Sequence, residues 1–374
     1  MDSHASDHHR HSRRRFLASG AASASFLTPL AHVLAQQADK QGEHKAQSLI
    51  VLWLGGGASQ LETFDPHPGT EIARGSKAIK TSLPGVQVGV GLEQVAASME
   101  SISLVRSVVS REGDHERGTK TIKTGYRPDP TADYPYIGAI LCHELPQQAR
   151  RVLGGTEIPR HVSIQSNQWP GRGGFLGDQF DAFKMWDPAN PVPDVKARVD
   201  QKHFNKRIRG LDVMEKAFAQ KRSKRVARTM HRQTITDARA MMSSEQLKQF
   251  RVEDEPLALR KAYGETPFGR GCLAARKLVQ VGVRCVEVGL GGWDSHANNH
   301  SIQANLVSTL DPAFAALIQD LKDHDLFDRV IVLCIGEFGR TPWMNPALGR
   351  DHWPHGFSLA IGGGGIRGGT VLGA

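Results

Sequence analysis

The chain has 374 residues, 39% of them hydrophobic, with 39 glycines and a formal net charge of +9 at pH 7. No apolar run is long enough for an ordinary membrane span, which excludes a membrane-embedded bundle and leaves one large domain with an insertion as the natural organisation, with two domains as the alternative. The charge is local: residues 196–232 hold thirteen Lys or Arg against three acids, so this stretch carries +10 and the remainder −1.

Residues 1–35 read as a targeting segment. Ser12 to Leu17 (SRRRFL) sets arginines ahead of Phe-Leu, about fifteen small, weakly apolar residues follow, and Val33-Leu34-Ala35 ends in a small-residue cleavage pattern. The segment resembles a twin-arginine export signal, with an N-terminal anchor as the alternative. The mature domain is expected over residues 45–374.

Gln47 to Leu54 is apolar on both faces and predicts a buried first strand, running into Gly55-Gly56-Gly57. Glycines at a strand end either let amides approach an anion or form a tight turn, and without a phosphate-loop lysine both readings stand. Ile102 to Val109 predicts another strand, with Asp114-His115 at its exit and Thr119, Thr121 and Thr124 on a helix beyond. Residues 133–200 are rich in Gly, Pro and aromatics. A basic helical insertion is expected over about 181–259, with either a solvated face or one suited to an anionic substrate. No nucleic-acid motif accompanies it, so no nucleic-acid partner is expected.

The last third supplies most of the candidate chemistry. Residues 268–281 have helical periodicity and pass into a β-branched run that stops before GGWDSH; a stripe of Leu310, Phe314, Leu317 and Leu321 predicts the next helix, and Arg329 to Ile335 a strand that stops at Gly336-Glu337. GRDHWPH then precedes a strand from Phe357 to Ile361. Helix, strand, polar loop in succession predicts an α/β domain with a mostly parallel sheet, whose ligands bind beyond the carboxyl ends of the strands. Asp294, His296, Glu337, Asp351, His352 and His355 are the metal-ligand types carried by those loops. Cys142, Cys272, Cys285 and Cys334 lie in apolar patterns without CxxC spacing and read as buried small hydrophobes.

SRRRFL, LWLGGGASQLETFDP, KTGYRPDPTADYPYIG, GGWDSHANN, GEFGRTP and GRDHWPHGFSLAIGGGGIRGG resemble the bacterial family called domain of unknown function 1501, which is similar to the alkaline phosphatase and sulfatase superfamily. The resemblance implies a three-layer α/β/α sandwich and hydrolysis of sulfate or phosphate esters through a covalent intermediate. It implies one or two divalent ions (zinc, manganese or magnesium) on Asp294, His296, Glu337 and His352, with Glu62 or Asp65 standing for a metal-binding Asp whose expected place falls near Gly56. Thr124-Gly125-Tyr126-Arg127-Pro128 resembles the end of a sulfatase nucleophile segment, which puts His115 at the nucleophile position, with Thr119 as the other candidate. Arg117, Lys120 and Arg340 are the expected anion contacts. Partners are then a small anionic ester or a sulfated polysaccharide, and the twin-arginine export machinery, giving a periplasmic or cell-surface location. The alternative is a degenerate binding protein on the same fold. The family normally continues past the glycine-rich turn, so an uncovered sheet edge is expected near Thr370-Val371-Leu372.

Overall fold

The computed structural model describes residues 46–145, 156–166, 168–220 and 231–373; the export signal expected over residues 1–35 lies outside the described residues. In chain order the elements are β1 (Ser48–Gly55), β2 (Ala78–Lys80), β3 (Gln87–Gly89), α1 (Glu93–Ala97), β4 (Ile102–Val108), α2 (His115–Thr124) and α3 (Ile137–Glu144). Then come β5 (His161–Ile164), β6 (Phe183–Met185), α4 (Gln201–Ala219), α5 (His231–Ser243), α6 (Leu257–Tyr263), α7 (Pro267–Gln280), β7 (Cys285–Gly291) and α8 (Asn299–Asp323). The chain closes with β8 (Val330–Ile335), β9 (Gly339–Arg340), β10 (His352–Trp353), β11 (Phe357–Gly363) and β12 (Val371–Leu372).

Eight strands form one sheet in the order β12-β4-β11-β8-β1-β7-β5-β6. The composition of β1 explains its place inside it. Leu49, Val51 and Trp53 point to one face, where Cys285, Ile335 and Phe357 join them and Ile122 of α2 and Leu141 of α3 pack. Ile50, Leu52 and Leu54 point to the other, with Cys272 and Leu278 of α7 and Leu310, Phe314 and Leu317 of α8. A strand apolar at every position is stable only between two layers, since its side chains alternate sides with period two. The result is the expected mixed α/β fold with helices on both faces of a mostly parallel sheet.

The exception to parallel pairing positions the site. β11 runs antiparallel to both β4 and β8, with Phe357 opposite Val108 at the end of β4 and Gly363 opposite Ile331 near the start of β8. Its beginning therefore lies at the rim where the parallel strands end. That is why GRDHWPH, which precedes a strand, reaches the same edge as the loops that follow β1, β7 and β8.

β6 pairs in parallel with β5 as an edge of the sheet, so the helical insertion begins after Met185 and not at residue 181. Its long helix α4 buries none of its residues. All four cysteines are free and buried, as their apolar surroundings predict. No helix among the described residues is long and apolar enough to cross a membrane.

Candidate metal centre

Four loops meet at the carboxyl rim. β7 leads through Gly291 and Gly292 to Asp294 and His296, β8 leads to Glu337, β4 leads to His115 at the first turn of α2, and His352 sits on β10 ahead of β11. Asp114 caps α2, its side chain accepting from the Arg117 amide at 3.0 Å, and this fixes where His115 leaves the backbone. The turn after β1 is the close packing that lets these loops touch. Gly56 has φ of +111°, and a Cβ there would lie 2.6 Å from the Asp294 amide nitrogen. Its own N–H donates to Glu337 Oε1 at 2.9 Å. The glycine run therefore serves as a tight turn that receives a protein carboxylate.

Three imidazoles share one arrangement. His115 Nδ1 lies 2.7 Å from Glu337 Oε1, His296 Nδ1 lies 2.7 Å from Asp351 Oδ1, and His352 Nδ1 lies 2.6 Å from the Gly113 carbonyl oxygen. Carboxylates and carbonyls only accept, so each Nδ1 carries the proton and donates. Every neutral ring then has a bare Nε2, and all three converge on one carboxylate. Asp294 Oδ2 is 3.3 Å from His115 Nε2, and Asp294 Oδ1 is 3.1 Å from both His296 Nε2 and His352 Nε2. The last two nitrogens are 3.0 Å apart. Ligand atoms of His115, Asp294 and His352 all lie within 4.8 Å of one another.

The electrostatics follow from these neighbours. Burial pushes the Asp294 carboxyl up, but the Arg340 hydrogen bond and charge, with His352 and His115, hold it at about 2. Burial lowers His352, favouring its neutral form, whereas the hydrogen bond to Glu337 raises His115. Phe338 lies against two of the rings, with centroids 5.0 Å from His115 and 4.5 Å from His352. The Phe338 side chain is itself buried, so an apolar ring packs against both imidazoles.

This donor set fits a divalent cation. Three imidazole nitrogens and a carboxylate, each imidazole held by an acceptor on its other nitrogen, are the ligands and supporting shell that zinc and its neighbours take. A buried oxygen beside the cluster agrees: Glu337 Oε2 has no hydrogen-bond partner, so the carboxylate behind His115 keeps acceptor capacity that only charge nearby would use.

Among the residues expected from sequence, Asp294 and His352 come together with His115, expected as a nucleophile, as a group that could hold a metal ion. His296 places its Nε2 beside them, 3.1 Å from Asp294 Oδ1 and 3.0 Å from His352 Nε2. Glu337, expected as a ligand, stands one layer back and orients His115. Arg340, expected to contact an anion, is fully buried. It donates to the carbonyls of Gly56, Gly57 (3.0 Å) and Arg350 (3.0 Å), and to Asp294 Oδ1 at 2.5 Å, so it positions a ligand.

The remaining expectations fall elsewhere. Thr119 is fully buried, its hydroxyl without a hydrogen-bond partner, and cannot reach a substrate. Arg117 is exposed and pairs with Glu112 at 2.9 Å, and Lys120 pairs with Glu116 at 2.7 Å. Asp65 is held by Arg106 and His67, each at 3.3 Å, and Glu62 by Arg350 at 3.2 Å. Both acids are engaged before any cation arrives. His355 is exposed against the Trp353 ring. Sequence reasoning missed the parts played by Asp351, Phe338 and the Gly113 carbonyl; only Asp351, beside His352 in a cluster of ligand types, carried a signal.

A family model described as "Protein of unknown function (DUF1501)" matches residues 46–374, and the chain belongs to that family. No curated protein matches the chain in sequence. Among solved structures, the chain is similar to the C-terminal periplasmic domain of EcEptC from Escherichia coli, in complex with zinc. The identity is 10%, over 85% of this chain and 73% of that one, with a TM-score of 0.38. It is similar to a protein in the alkaline phosphatase superfamily from Vibrio parahaemolyticus, with 13% identity over 88% and 62% of the two chains and a TM-score of 0.35. A third is alkaline phosphatase from the Antarctic bacterium TAB5, with 14% identity over 88% and 95% and a TM-score of 0.32.

Proposed function

We propose that this member of the DUF1501 family is an exported, metal-dependent hydrolase of sulfate or phosphate esters. The observation that carries the reading is the convergence of three Nε2 atoms on Asp294, each imidazole fixed through Nδ1 by Glu337, Asp351 or the Gly113 carbonyl. His115, Asp294, His296 and His352 would hold one divalent ion, zinc before manganese or magnesium on the count of nitrogen donors. Such an ion supplies Lewis acidity, drawing charge from an ester oxygen and making water a better nucleophile.

The chain's own residues account for the rest. Glu337 and Asp351 hold the Nδ1 protons of His115 and His296, which leaves Nε2 as the nitrogen each ring presents to the ion. Arg340 fixes the Asp294 carboxylate and lowers its basicity, which keeps it charged. No hydroxyl or thiol stands in the cluster among the described residues, and His115 is committed to it. Water is therefore the attacking oxygen in this proposal, in place of the covalent intermediate that the superfamily resemblance implies. The export signal read in residues 1–35 supports a periplasmic or cell-surface location, and suits a protein that folds around its ion before translocation.

One observation favours a second reading, a non-catalytic protein that holds an anionic saccharide or a partner through the same ion. Arg340, Arg117 and Lys120 are all paired, so none of the expected cations is free to clamp a leaving anion. The two readings separate in one assay. Purified protein reconstituted with zinc, manganese or magnesium is tested on 4-nitrophenyl phosphate, bis(4-nitrophenyl) phosphate and 4-nitrophenyl sulfate. The hydrolase reading expects turnover that falls at least about 100-fold in His352→Ala. Tight metal binding without turnover on any of the three leaves the binding reading.

A further inference from the structure

The opposite edge of the sheet carries a second feature, which owes nothing to the metal centre. A cavity of about 960 Å³ opens where β5 and β7 begin, roughly 20 Å along the strands from Asp294. Its floor is made by residues that lead into those strands, including Ile158, Arg160, Val281 and Arg284, and its roof by Ala240, Met241 and Met242 of α5. Most of the surface facing the space is apolar.

Arg160 and Arg284 are brought side by side by the strands they precede. The Arg284 amide donates to the Arg160 carbonyl at 2.9 Å, and Cys285 donates to the same oxygen at 3.1 Å. Arg284 is 6% exposed. Its guanidinium gives one hydrogen bond, to the Gln47 carbonyl at 3.0 Å, and that of Arg160 gives one to the Leu145 carbonyl at 3.4 Å. Neither forms an ion pair with a carboxylate among the described residues. Five acids also line the cavity. Asp181 holds Arg172 and the Gly173 amide, Asp194 holds Arg198 and Asp237 accepts from Gln233, while Glu157 and Asp178 are exposed to solvent. Burial lowers the pKa of Arg284, and the charge of Arg160 lowers it further, an unfavourable pairing that an anion between them would reverse.

Two guanidiniums of neighbouring strands face this cavity with most of their donors unspent, while the acids of its lining are exposed or held by other groups, so the arginine pair is the place where an anion fits. We infer that this cavity binds an amphipathic carboxylate, its headgroup on Arg160 and Arg284 and its hydrocarbon against Ile158, Val281, Met241 and Met242. Guanidinium accepts a carboxylate through paired N–H donors, and a volume of this size accommodates a medium-length chain.

The test uses isothermal titration of the full chain with decanoate, decyl phosphate, decanol and decyltrimethylammonium. Decanoate is expected to bind one per chain, with decanol and the cation at least about tenfold weaker, since the charge-assisted pair is worth a tenfold step or more. Comparable binding by decyl phosphate would assign the site to alkyl anions in general and overturn the carboxylate assignment. Arg160→Gln, which removes the half-buried guanidinium, should weaken decanoate at least tenfold. Ala240→Trp fills the space from the roof without touching either arginine and should abolish binding even if the arginine variant folds poorly. Both variants should keep their full metal content at the other edge. Decanoate binding that is undetectable in the wild type, or unchanged in both variants, would overturn the inference.

Discussion

His296 and His352 face each other through their Nε2 atoms at 3.0 Å, with Asp294 Oδ1 3.1 Å from each. Two bare nitrogens at this distance repel unless something positive lies between or beside them, and their Nδ1 protons are already given to Asp351 and Gly113. Zinc added to chelator-treated protein should therefore stabilise it. At a free concentration 100 times Kd the gain is about 2.7 kcal/mol, a rise in Tm of several degrees. His296→Ala should remove most of that rise; an unchanged zinc response in this variant would show that the ion binds elsewhere.

Glu337 acts on the centre through His115. Its Oε1 accepts from both the His115 ring and the Gly56 amide. Glu337→Gln keeps an accepting oxygen and loses the charge that favours the Nδ1–H tautomer. Metal affinity, measured by competition with a fluorescent chelator, should fall about 10- to 100-fold while the far-ultraviolet circular dichroism is retained.

Gly56 has no room for a side chain. Ala at φ of +111° is strained, and its methyl would press on the Asp294 amide. Gly56→Ala should cost more than about 1 kcal/mol in urea unfolding and also lower metal content. Gly85 has a similarly positive φ of +79° but open space around it, so Gly85→Ala should lose stability only and keep its metal.

Glu62 sets part of the acid limit of stability. Its Oε1 accepts from Ser76 at 2.6 Å and lies 3.2 Å from His300 and 3.2 Å from the fully buried Arg350. Burial raises its pKa, but the His300 hydrogen bond and the Arg350 charge outweigh it, leaving about 2 against an ordinary 4.5. The folded value is the lower one, so the stabilisation is whole above pH 4.5 and is lost as the pH falls toward 2. Its size is about 3 kcal/mol. Urea unfolding at pH 7 should show a loss of that order in Glu62→Gln, and the wild type should approach the variant at pH 3. Curves that stay parallel over this range would refute the assignment.

The fold was legible because its core strands are extreme in composition. Leu49 to Leu54 and Val330 to Ile335 are apolar at every position, and the helices between them carry a clear stripe. The rim loops were legible for the same reason, since Asp294, His296 and His352 stand where such strands stop or start. The roles within the cluster were not. Whether His115 attacks or ligates depends on which of its nitrogens meets Glu337, a contact across 222 residues that no local pattern records. Arg340 looked free beside Gly339, yet the hairpin of β9 and β10 turns it inward onto Gly56, Gly57 and Asp294. The antiparallel direction of β11 was also hidden, because FSLAI has the composition of a buried strand of either direction.

The central claim is that four side chains from separate loops form one cation site. Metal analysis by mass spectrometry after gel filtration, on the wild type and on Asp294→Asn, addresses it directly. The account predicts close to one divalent ion per chain in the wild type, and less than a tenth of that in the variant at unchanged elution volume. A wild type that retains no ion after loading with zinc, or a variant that retains as much as the wild type, would contradict it.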